Sequence, residues 1–119
     1  MVKKLPTQEE LFRPILEVAL KYPAGAFTAV WYRECKAFFP HLTEEDFAQK
    51  TKETKKGENA WKLQIRYAKK KLEYDFKYMI ANLPRGFWRI SNAGARALLE
   101  MQAGTWKRPE SRVDVLQPH

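Results

Sequence analysis

Asn59-Ala-Trp-Lys-Leu-Gln-Ile-Arg-Tyr-Ala-Lys-Lys-Lys-Leu72 carries two interleaved patterns. Set on a helix at about 100° per residue, Trp61, Ile65, Ala68 and Leu72 fall at i, i+4, i+7 and i+11 and form one apolar stripe. Lys62, Arg66 and Lys69 repeat that spacing about a quarter-turn away, with Asn59 and Lys70 on the same side. The pattern predicts a helix over 59–73 that buries one side and turns cations outward on the next. A solvated surface helix with ordinary lysines has the same look, so the surrounding chain decides its meaning.

Charge is the first thing around it. The 119-residue chain has a net charge of +8, with 45% apolar and 13% aromatic residues, which suits one packed domain. Residues 1–49 hold 6 Lys/Arg against 7 Asp/Glu, a net −1; residues 50–96 hold 13 against 4, a net +9; residues 97–119 balance at 3 against 3. The excess is therefore local to the 59–73 helix and its flanking segments. That points to an anionic partner, nucleic acid ahead of an acidic membrane surface. Immediately upstream, residues 51–58 lack any apolar residue and read as a loop. Its Lys52, Lys55 and Lys56 are phosphate candidates as well as ordinary solvated charges.

Further upstream, Thr7-Gln-Glu-Glu10 is a capping box that opens a first helix. Its buried face is Leu11, Ile15, Val18 and Tyr22, widened by Phe12, Leu16 and Ala19, with a kink expected at Pro14. Pro23-Ala-Gly25 closes it. Phe27 suits a very short strand, and Thr28 an N-cap for a second helix with Trp31, Cys35 and Phe38 inward. Thr43-Glu-Glu-Asp46 starts a short helix to about Lys50, anchored by Phe47, and its carboxylates suit the positive end of a helix. Cys35 lies four residues after Trp31, as a small core residue does, and a lone cysteine excludes an internal disulfide.

Downstream, Phe76, Tyr78 and Ile80 alternate with polar residues and Met79 over 74–81, close to a strand pattern. Asn82-Leu-Pro-Arg-Gly86 is turn chemistry, and Phe87-Trp-Arg-Ile90 is a returning strand with one aromatic inward. Together they predict a hairpin over 77–90, with Arg85 at its tip and Arg89 on its return. Ser91 caps a last helix to about Met101 that returns Leu98 and Leu99 to the core, and Gly104 ends it.

The expected fold is α+β, mainly α: a winged helix-turn-helix with a three-helix core, a β-hairpin wing and a C-terminal helix. Residues 1–103 form that domain and 104–119 a flexible tail. In such a fold the 59–73 helix enters the major groove of double-stranded DNA and the hairpin lies on the backbone. Asn59, Lys62 and Arg66 are then the base-contact candidates, since Arg and Lys suit guanine and Asn suits adenine. Lys55, Lys56, Lys69, Lys70, Arg85 and Arg89 are the phosphate-contact candidates.

Three stretches also resemble the N-terminal winged-helix domain of Mrr-type restriction endonucleases. Leu5-Pro-Thr-Gln-Glu-Glu-Leu-Phe-Arg-Pro-Ile-Leu16 matches that family's Leu/Ile-Pro-Thr opening, its Glu-Leu and the Pro and Leu after it. Asn59 and Tyr67-Ala-Lys-Lys70 match its third helix, with Ala68 in place of Leu. Leu83-Pro-Arg-Gly86, Trp88-Arg-Ile-Ser91, Gly94 and Leu98-Leu99 match its wing and last helix. The chain departs in a longer 73–82 segment, in Lys71 where the family turns with Ala-Gly, and in having no room for a nuclease domain. The resemblance implies the target-recognition part of a modification-dependent restriction system. It also implies double-stranded DNA, methylated or not, as partner, with a separate nuclease subunit or domain to test, while a homodimer is a further partner that winged helices in general allow. The lone Cys35 fits a reducing cytoplasm, and the resemblance adds a prokaryotic or phage-encoded, nucleoid-associated setting.

Other classes have less to stand on. No run approaches the ~18 apolar residues of a membrane span, and the first residues lack a signal peptide's apolar region. His41 and His119 fall in no metal or nucleophile motif, so no catalytic residue, metal or cofactor is expected and the chain is not read as an enzyme. The rivals are a protein-binding or dimerisation winged helix, with Phe38, Phe39, Trp106 and Leu98-Leu99-Met101 as its apolar patch, and a small transcriptional regulator.

Overall fold

The computed structural model describes residues 3–51 and 57–109. Its order is α1 Gln8–Lys21, β1 Ala26–Phe27, α2 Thr28–Glu34 continued by a 3₁₀ turn Cys35–Phe38, α3 Glu44–Phe47, α4 Ala60–Tyr74, β2 Phe87–Trp88 and α5 Asn92–Ala103. It is an α-rich chain with one small antiparallel sheet. Both capping boxes form as local chemistry requires. The Thr7 hydroxyl accepts from the Glu10 N–H at 3.2 Å while Glu10 accepts from the Thr7 N–H at 2.9 Å. Thr43 and Asp46 repeat the exchange at 3.2 and 2.8 Å. Asp46, 2% exposed, also accepts from the Lys3 N–H at 2.7 Å, so it ties the chain start to α3.

The core is α1 laid against α4 and α5. Leu11, Ile15, Leu16, Val18 and Ala19 on α1 are fully buried, as are Ile65, Ala68 and Leu72 on α4, with Trp61 at 1%. Each large side chain buried there contributes roughly 1.5–3 kcal/mol. Two indoles pin the helices. Trp31 Nε1 donates to the Ile15 carbonyl at 3.0 Å, and Trp61 Nε1 to the Tyr32 carbonyl at 2.8 Å. Cys35 is fully buried, and burial pushes its thiol up to about 12, which keeps it protonated and inert. α1 runs through Pro14 to Lys21 as one helix, with the ring buried.

Several expectations shift by a residue or change partner. α2 begins on Thr28 itself, with Phe27 as N-cap, because the Thr28 N–H donates to the Gly86 carbonyl at 3.0 Å. The chain leaves helical geometry at Phe39, whose ring meets Trp61 at 5.9 Å, and Phe38 is left 39% exposed. α3 stops at Phe47 because the chain enters an antiparallel bridge between Lys50 and Asn59, flanked by Thr51 N–H to Glu58 O at 2.8 Å and Ala60 N–H to Gln49 O at 2.9 Å.

The largest correction concerns the hairpin. β2 pairs with β1, in register Ala26 to Trp88 and Phe27 to Phe87, and not with a strand over 74–81. α4 continues to Tyr74, and the chain then turns through Lys77 at φ +62°. Tyr78 and the adjacent Met79 are both buried, so the alternation that resembled a strand belongs to a turn leaving a helix. What remains of the 77–90 hairpin is a bridge between Met79 and Ile90, with Ile80 N–H to Arg89 O and Ser91 N–H to Tyr78 O, both 2.9 Å. The tip forms as expected: the Phe87 N–H donates to the Pro84 carbonyl at 3.0 Å, and Gly86 supplies φ +79°.

Ser91 caps α5, its hydroxyl accepting from the Gly94 N–H at 3.0 Å and donating to the Lys77 carbonyl at 2.6 Å. α5 approaches the turn so closely that a Cβ on Gly94 would lie 2.1 Å from the Tyr78 carbonyl oxygen. Leu98 is fully buried but Leu99 is 63% exposed, because only one of two successive helical positions can face α1. Gly104 ends the helix in the left-handed region at φ +75°. Trp106 then lies back on the domain: its Nε1 donates to Tyr78 Oη at 2.9 Å and its ring meets Phe76 edge-on. Arg108 stacks over Phe76 and pairs with Glu9. Residues 110–119, the rest of the expected tail, lie outside the described residues.

Candidate nucleic-acid interface

The first two turns of α4 form one wall of an open groove of ≈ 720 Å³, and Arg85-Gly86 of the turn forms the other. Tyr32, Trp88 and Thr28 also line it. Asn59, Lys62, Arg66 and Arg85 all line it, so four of the residues singled out by sequence come together here.

They do not come with equal freedom. The Asn59 carbonyl oxygen accepts from the Lys62 N–H at 2.9 Å as the N-cap of α4, and its NH₂ donates to the Phe47 carbonyl at 2.9 Å. Its amide is occupied at both ends, holding the helix start against α3. Lys62 is exposed, with Nζ 5.5 Å from the Tyr32 ring centroid, a cation–π contact that keeps the ammonium at the groove. Arg66 donates from Nη2 to Glu58 at 2.9 Å, with side chains 41% and 44% exposed. Arg85 is exposed at the tip and makes no ion pair among the described residues.

The remaining phosphate candidates lie elsewhere. Lys69 is enclosed: its side chain is 13% exposed, paired with Glu73 at i+4 and 5.4 Å from the Trp88 ring centroid. Lys70 is exposed on the outer side of α4. Arg89 is exposed on the return of the turn, with Nε donating to the Pro23 carbonyl at 3.2 Å, and does not line the groove. Lys55 and Lys56, with Lys52, lie outside the described residues.

Sequence reasoning missed Glu58 and Tyr32 as groove residues, and it left open which of Phe87 and Trp88 packs inward. Tyr32 had a usable signal, since it is one position on from the buried Trp31 and so about 100° off the core face. Glu58 had none, because it meets Arg66 across the N-cap and not along a helix face.

Chemically, the groove offers an ammonium and two guanidinium groups over aromatic walls, a setting for a polyanion or base edges. Among the described residues no three His, Cys, Asp or Glu side chains gather as a metal site, and no helix is long and apolar enough to cross a membrane. No protein-family model, curated protein or solved structure matches the chain.

Proposed function

We propose that the chain is a winged-helix module that binds double-stranded DNA, with α4 in the major groove and the 84–86 turn on the backbone. The observation that carries this reading is the groove itself, which Lys62 and Arg66 of an amphipathic helix line together with Arg85 of the following turn. The β1–β2 pair with the Met79–Ile90 bridge supports a compact wing. Lys62 and Arg66 contact bases, Arg85 and Lys70 contact phosphates, and Asn59 sets the start of the reading helix. Lys69 holds the helix to β2.

In the wider proposal, the module is the target-recognition part of a modification-dependent restriction system of the Mrr type. It performs no chemistry itself, and strand cleavage belongs to a separate nuclease subunit or domain. A protein-binding reading draws on Leu99 and Phe27, 63% and 65% exposed, and on Phe38.

Fluorescence anisotropy with labelled duplexes tests the reading. Binding is expected in the micromolar range or better at low salt, weakening steeply as salt rises. Absence of binding at low salt overturns it. Arg66→Ala reduces preference among sequences, whereas Arg85→Ala weakens all duplexes alike. Selection from random duplexes with and without adenine and cytosine methylation then tests the restriction proposal.

A further inference from the structure

A groove built only to grip phosphates has no use for a carboxylate, yet Glu58 lines this one and holds the Arg66 guanidinium at 2.9 Å. Both side chains are about 40% exposed or slightly more. An exposed ion pair of this kind contributes little to folding and opens readily. It does, however, place a fork of donors beside a strong acceptor at the start of the reading helix. On the major-groove edge of a G·C pair, guanine offers two acceptors, N7 and O6, beside the N4 amine of cytosine, a donor. An A·T pair offers the fork only isolated acceptors, N7 and O4, on either side of the adenine amine.

We infer that Glu58 and Arg66 together read one G·C pair, Arg66 donating to guanine N7 and O6 and Glu58 accepting from cytosine N4. This deepens and rests on the DNA-binding reading. In the free protein Glu58 occupies Arg66 and repels phosphates, so weak backbone-only binding is suppressed. On the right base pair the two side chains separate and each finds a complementary partner. On an A·T pair the adenine amine lies between N7 and O4, so the carboxylate and the two-donor fork cannot both be matched, which is the costly outcome. Discrimination therefore comes from Glu58 as much as from Arg66.

The test uses the full chain with two variants, Glu58→Gln, which keeps the shape, and Glu58→Ala, which adds no new amide reader. Selected duplexes are titrated by anisotropy over a range of salt. The parent is expected to prefer G·C at one position, and Arg66→Ala to lose that preference. Glu58→Ala should reduce it at least about fivefold at the same position, and Glu58→Gln, whose amide oxygen still accepts, by less. On mismatched duplexes both variants should bind more tightly and with a salt slope steeper by about 0.9, where Arg66, with no guanine to read, takes up a phosphate. Combining Glu58→Ala with Arg66→Ala should cost less preference than the two single losses added, since both act on one base pair. If the parent binds duplex but both Glu58 variants leave preference and slope unchanged, the inference is overturned while the DNA reading stands. If neither parent nor variants bind, both fall together.

Discussion

Arg66 and Lys69 lie less than one turn apart on α4, and the structure treats them as different kinds of residue. Arg66, in the half that faces the groove, is 41% exposed and held by a single exposed carboxylate. Lys69, in the half under β2, is enclosed between Glu73 and the Trp88 ring. Exchanging the partner of the first costs little, since exposed pairs contribute at most about 1 kcal/mol. Removing the partner of the second leaves a largely buried charge uncompensated, which costs several times more. A stripe of cations is therefore not a stripe of contacts. The element packed on top decides which of them can leave for a ligand.

The sharpest way to break this contrast is to remove the roof. Trp88→Ala should cost about 4 kcal/mol in urea unfolding, because the indole is 6% exposed and packs on Trp31 at 5.2 Å. Glu73→Ala should cost about 3 kcal/mol without altering the salt slope of DNA binding. Replacing both partners, Lys69→Met with Glu73→Leu, should recover most of that stability, and a further loss in the double variant would show that the pair is not a buried one. Lys70→Ala should do the reverse of Glu73→Ala: stability within about 0.5 kcal/mol of the parent and a salt slope shallower by about 0.9. Any large stability loss there would erase the distinction between the two halves.

The smallest effect expected is on pH. The N–H groups of Thr43 and Lys3 hold the Asp46 carboxyl below its usual range. A folded pKa below the unfolded one stabilises the protein above about pH 4 and loses that contribution as pH falls through the folded value. Asp46→Asn should therefore be less stable at neutral pH and lose less on acidification, as read by thermal melts across that range.

What could be seen in the sequence was whatever is decided within a few residues. Thr7, Thr43, Ser91 and Gly104 terminate helices by local hydrogen bonding, and the Trp61–Leu72 stripe buries because its period matches a helix. The same capping rule applied to Asn59, which precedes Ala60 and Trp61, would have shown its amide to be spoken for. The partner of β2 was not legible, since Ala26 and Phe27 are some 60 positions away and only two residues long. Nor was the enclosure of Lys69, which depends on where Trp88 returns. Trp106 carried no local signal either, and its seat on Phe76 and Tyr78 exists only once the turn after α4 is formed.

The Lys50–Asn59 bridge has a practical meaning for anyone altering this protein. With Thr51 bonded to Glu58 and Ala60 to Gln49, the two segments that enter and leave residues 52–56 are clamped together. Its ends stay adjacent whatever its length, and doubling the number of residues between them costs only about 0.6 kcal/mol in closure entropy. A peptide tag or fluorophore-bearing insert spliced there should leave the helix beyond it in place, giving a reporter a few residues from the proposed contact surface.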